Sequence, residues 1–210
     1  MIKENKGIQN TEEKILDAAK IVFMENGLDK TRMQDIADRA GISRSALNYY
    51  FRTKENLFEV LMDRIFDGIF PAIEPLINNS VPFIEKIDAI IDIYDSQLRK
   101  NDFIPRFLFF EFQRNPSLIY AFIKKSQRVQ DYQNMMVNAL QKEMESGRIC
   151  TKPLDEVLVT FFSLIFVPYL LNPLLSEFWE KDEKKKQEFF DTNKKKAKKL
   201  LIYYLKPNQN

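Results

Sequence analysis

The chain has no histidine, one cysteine and five glycines in 210 residues, and each shortage removes a class of fold or function. Without histidine there is no Cys-His zinc site, no Ser-His-Asp triad and no Glu-x-x-His di-iron bundle. Cys150 alone cannot close an intramolecular disulfide, which fits a reducing cytosol, and as a nucleophile it lacks its usual base. Few glycines, with nine prolines spread along the chain, leave little of the dense punctuation of an all-β fold. The first ten residues, MIKENKGIQN, are polar and contain no apolar h-region, so they do not read as a secretory signal. No spacing matches a catalytic or phosphate-binding motif. The expectation is a cytoplasmic protein that is not an enzyme and carries no cofactor or metal.

What is present is helical. Hydrophobic residues make up 45% of the chain, enough for a core, and charged residues make up 30%. Long periodic segments between the breaks predict an all-α protein. Net charge is only +2, so the whole does not announce a nucleic-acid partner. Distribution says more. Between Lys30 and Lys54 six basic residues stand against two acidic ones, a local excess suited to phosphates or to a solvated face. One uncharged run, Val157 to Ser176, approaches the length that spans a bilayer. It contains Pro168, Asn172 and Pro173, has acidic flanks, and is equally suited to burial in a core or subunit interface.

The first fifty residues divide into three helices. Thr11 with Glu12 and Glu13 reads as a helix start, and Ile15, Ala18, Ala19, Val22 and Phe23 form a one-sided stripe ending at Asn26-Gly27. Thr31 opens a second helix with Gln34 three residues on as a capping box, and Met33, Ile36, Ala37 and Ala40 face inward. Gly41 breaks it. Ser43 caps a third helix, with Ile42 and Leu47 spaced as a hydrophobic staple. Two short helices around a tight glycine turn make a helix-turn-helix. On the third, Leu47 and Phe51 point inward, leaving Arg44, Ser45, Asn48 and Tyr49 for bases or phosphates. Thr53 caps the next helix and Lys54 sits in its first turn.

Thr11 to Phe58 resembles the DNA-binding domain of the TetR family of bacterial transcriptional regulators. The match runs through Ile15, Ala18, Ala19, Phe23 and Gly27, then Thr31, Ile36, Ala37, Ala40, Gly41, Ile42 and Ser43, and closes on Leu47 to Phe51, Lys54, Leu57 and Phe58. The resemblance implies an all-α homodimer whose third helix enters the major groove of a palindromic operator. Residue by residue, it implicates Thr31 and Met33 in backbone contact. Ser43, Arg44, Ser45 and Tyr49 would face the groove, and Tyr50 and Lys54 would lie near phosphates. Asn48 stands where the family usually has tyrosine, so either a phosphate partner is missing there or a base is met instead.

The expected division is a DNA-binding domain over 1–53 and a helical ligand-binding and dimerisation domain over 54–210. A helix from Lys54 stops at Pro71, and Pro71 to Val81 reads as a broken segment. Ser80 then caps a helix with Pro82 in its first turn, running to about Lys100. A phenylalanine-rich helix ends at Pro116, and one further helix runs from Ser117 to Ser146-Gly147. Aromatics concentrate here. Phe66, Phe107, Phe110, Tyr120, Phe162 and Phe166 are candidates to line a site for an apolar or aromatic small molecule. Glu111 among those aromatics leaves a cationic ligand open. The run after Pro153 and a lysine-rich helix from about Lys184 to Leu205 form a pair too apolar to leave exposed. In the family the last two long helices commonly dimerise. A ligand-released homodimeric repressor is therefore expected, with no membrane partner. A cofactor-free helical enzyme and a membrane-associated helical protein are the competing classes.

Overall fold

In the computed structural model, which describes residues 2–207, eleven helices account for the regular structure of the described residues. They pack as two compact units, one formed by residues up to Asp67 together with Phe107–Phe122, the other by Gly68–Arg106 and Ile123 onward.

The first unit is built on α1 (Ile2–Lys30), α2 (Met33–Ala40), α3 (Arg44–Tyr50) and α4 (Lys54–Asp67). The predicted start at Thr11 is overtaken, because α1 is already helical from Ile2 and no proline in that stretch stops it. Its predicted end is met by a break at Gly27, where φ is 75° and ψ 164°. The stripe Ile15, Ala18, Ala19, Val22 and Phe23 is buried, with Leu16 and Leu28 added to it. From the later chain come most of α7 (Phe103–Arg114) and the start of α8 (Pro116–Lys125). Phe107 packs between Phe23 and Phe58, with ring centroids 6.2 and 5.8 Å away.

The second unit holds α5 (Phe70–Asn78), α6 (Phe83–Lys100), α9 (Gln127–Glu145), α10 (Leu154–Phe178) and α11 (Glu183–Leu205). The segment expected to be broken at Pro71 is helical. Pro71 lies in the first turn of α5, where a missing N–H costs nothing, and Phe70, Ile73 and Ile77 bury one face. The break falls instead between Asp67 and Phe70. Ser80 does not cap α6. Pro82 takes that position, and Asn79 folds the approach by accepting the Val81 N–H at 3.0 Å. Pro116 begins α8, and the single helix expected from Ser117 divides at Ser126, whose hydroxyl accepts the Val129 N–H to cap α9.

Helices α10 and α11 pack on each other and on α6. Helix α10 runs unbroken through Pro168 and Pro173. Pro168 cannot donate to the Leu164 carbonyl, and the Asn193 amide from α11 does so instead, at 3.3 Å. A polar cluster ties α6 to α10 and α11: Asp95 accepts from Arg99 and Tyr169, and Arg99 also reaches Asp191. Among the described residues α10 is the one helix long and apolar enough to cross a membrane.

Candidate nucleic-acid interface

The site is made by two caps and a turn. Helix α2 opens one residue later than expected: Arg32 is its N-cap, and the Asp35 carboxylate accepts the Arg32 N–H at 3.1 Å. Gln34 instead hydrogen-bonds Asp38. Thr31 is only 3% exposed, and both its hydroxyl and its N–H donate to the Gly27 carbonyl, at 2.7 and 3.2 Å. It shapes the entry to α2 from within. Met33 is likewise buried by its side chain.

Helix α2 ends at Gly41 in the left-handed region, φ 69° and ψ 32°, with the Ile42 N–H bonded to the Ala37 carbonyl. That reversal suits glycine because a Cβ would be strained there. Ser43 then caps α3 as expected, its Oγ accepting the Ala46 N–H at 3.1 Å. Leu47 is fully buried and Phe51 nearly so, which turns the rest of α3 outward.

On that outward face Ser45, Asn48 and Tyr49 are exposed, Tyr49 at 81%. Tyr50 is half-buried against Tyr49, with ring centroids 5.3 Å apart. Arg44 is half-buried, and its Nη1 is enclosed without a hydrogen-bond partner. Thr53 caps α4 through the Asn56 N–H, and the Lys54 ammonium donates to the Asp29 carbonyl at 2.6 Å. Of the six basic residues in this window, Arg39 is committed to Glu25 through two hydrogen bonds of 2.8 and 2.7 Å. Lys30, Arg32 and Arg52 are exposed.

A support behind the site comes from far along the chain, and no sequence signal announces it. The Glu111 carboxylate, 1% exposed, accepts the Leu28 N–H at 3.2 Å and lies 3.5 Å from Arg114. Asn115 donates to the Asp29 carboxylate. These three residues hold the Gly27–Asp29 turn from which the chain enters α2. Glu111 among aromatics is therefore occupied by backbone and by arginine.

The six pocket candidates divide between the two units. Phe66, Phe107, Phe110 and Tyr120 belong to the first unit, Phe162 and Phe166 to the second. Phe66 stacks on Phe122, Phe107 is core, and Phe162 lies edge-on to Phe166. A cleft elsewhere in the second unit, lined by Ile91, Asp95, Ile165, Tyr169, Phe190, Asn193 and Lys194, has a volume of about 10 Å³, the room of one water.

Residues 15–61 match the model of the bacterial regulatory proteins of the tetR family. Those residues form a TetR-type DNA-binding domain. The chain is 23% identical over 171 residues to a Bacillus subtilis protein named as a probable HTH-type transcriptional regulator, YttP, covering 80% of this chain and 81% of that one. It is 25% identical over 113 residues to the HTH-type transcriptional repressor KstR2 of Mycolicibacterium smegmatis, covering 47% of this chain and about half, 55%, of that one. A TetR transcription regulator from Haloarcula marismortui shares the fold with a TM-score of 0.60 at 18% identity, covering 94% of this chain and all of that one. The chain is thus an all-α, DNA-binding transcriptional regulator with a TetR-type N-terminal domain, and helices α2 and α3 are its helix-turn-helix.

Proposed function

We propose that the protein is a cytoplasmic repressor that binds a palindromic operator as a homodimer and is released by a small apolar or aromatic molecule. The observation that carries the DNA-binding part is the outward face of α3, where Ser45, Asn48 and Tyr49 are exposed beside Arg44 while Leu47 and Phe51 anchor the helix beneath. In this reading α3 lies in the major groove. Ser43, Arg44, Ser45, Asn48 and Tyr49 meet bases or nearby phosphates, and Tyr50 and Lys54 meet the backbone. Thr31 and Met33 contribute through position: they fix the first turn of α2, whose N–H groups face an anion favourably. DNA binding is assigned to residues 1–53, and ligand binding and dimerisation to residues 54–210.

Pairing through α10 and α11 is supported by what they leave uncovered. Val157, Ile165, Pro168 and Tyr169 bury one side of α10, while Val159, Phe162, Leu171 and Leu174 are exposed on the other, with Leu200 and Tyr203 on α11. Exposed apolar side chains in that number are commonly covered by a partner. Release by an apolar molecule is supported by the aromatic content of α7 to α10, and repression by the one relative above that is named as a repressor. The test is selection of duplexes from a random pool by the full chain. Enrichment of an inverted repeat supports the reading, and recovery of no common sequence ends it.

A further inference from the structure

Arg44 and Asn48 stand four residues apart on α3, so their side chains rise from one flank of the helix, about 6 Å apart at Cβ. Asn48 is exposed, and its amide makes no hydrogen bond among the described residues. Arg44 is half-buried, with Nη1 enclosed and unpartnered. A guanidinium nitrogen cut off from water and from any acceptor is an uncompensated cost. Swinging out of that enclosure, to water or to a pair of acceptors on DNA, would remove that cost. The two groups also differ in place from the other cations of this window, which lie outside α3. Lys30, Arg32 and Arg52 are exposed cations suited to phosphates. An asparagine amide, with one donor and one acceptor edge, matches adenine N7 and N6, and a guanidinium fork matches guanine O6 and N7.

We propose that Arg44 and Asn48 read two bases directly in each operator half-site, Arg44 a guanine and Asn48 an adenine, no more than two base pairs apart. The spacing follows from the one-turn separation, set against about 3.4 Å of rise per base pair. The inference rests on the reading of α3 as the groove-bound helix and adds base identity to it.

The experiment is duplex selection with the full-length chain and with Asn48→Ala, Arg44→Ala and Arg44→Lys, each checked for an unchanged melting temperature. The wild-type half-site should contain a fixed guanine and a fixed adenine within that distance. Asn48→Ala should relax the adenine alone, with discrimination there falling roughly five- to 150-fold. The salt dependence of binding should stay unchanged for this neutral substitution. Arg44→Ala should relax the guanine alone, and Arg44→Lys should restore it incompletely because lysine lacks the fork. If either alanine variant weakens all duplexes equally, its residue serves the backbone and the proposal is overturned, while groove binding by α3 stands. If the wild-type chain enriches no duplex at all, the groove-binding reading falls and this inference falls with it.

Discussion

Gly27 sits at φ 75° and ψ 164°, where a Cβ would lie 2.5 Å from Arg114 Nη1 and 3.1 Å from Glu111 Oε1. The backbone conformation favours glycine, and the buried Glu111 carboxylate is a tight neighbour, while the half-exposed Arg114 guanidinium can move aside. Gly27→Ala should cost about 1–3 kcal/mol of stability by strain at this conformation, measured by urea unfolding; an unchanged midpoint would show that the turn tolerates a side chain. Tyr94 offers a test by pH. Its hydroxyl lies 3.0 Å from that of Tyr132, and burial pushes its pKa up from 10.0 to about 12, with the Tyr132 hydrogen bond opposing. The folded chain thus holds this proton more tightly than the unfolded chain does. The contribution is intact below pH 10 and is lost as pH rises towards about 12. The wild type should lose more stability than Tyr94→Phe between about pH 9 and pH 11, read from urea midpoints at the two values. Equal losses would place Tyr94 in water.

Helix α10 keeps its course through Pro168 because Asn193 of α11 supplies the donor that proline lacks. Asn193→Ala should leave the Leu164 carbonyl unpaired, at a cost of about 1 kcal/mol. In a Pro168→Ala background the cost should shrink, since alanine at that position brings its own N–H to the same carbonyl. A double-mutant cycle by chemical denaturation checks this, and additive effects would contradict it. Such compensations explain what is legible in the chain and what is not. The Gly41 turn, the Ser43 cap, the inward Leu47 and Phe51 and the Thr53 cap are local, set by residues within four positions, and all stand in the fold. Helix α5 escapes a sequence reading because Pro71 lies in its first turn, where proline is tolerated, and the helix also continues through Pro75 in its interior, where proline ordinarily breaks one. Thr31 differs from expectation by one register, its hydroxyl turning back to Gly27. Glu111 and Asn115 lie 83 and 86 residues from their partners at Leu28 and Asp29, and no periodicity reports a contact of that span.

For the whole molecule, the uncovered side of α10 carries the expectation of pairing. Phe162, 42% exposed in the single chain, should on replacement by glutamate give a monomer by light scattering in detergent-free buffer while the wild type is a dimer. A wild-type monomer, or a chain soluble only in detergent, would contradict that expectation, the latter in favour of the membrane-associated class. On the proposed pairing, α3 would act in two copies, one for each half of an inverted repeat. The most direct measurement is titration of a selected inverted-repeat duplex with the full chain, following anisotropy at several salt concentrations, beside Tyr49→Ala. Two protomers should load each duplex, the affinity should fall steadily with salt, and Tyr49→Ala should bind markedly more weakly with its fold intact. Binding that ignores sequence, or that Tyr49→Ala leaves untouched, would contradict α3 as the reader.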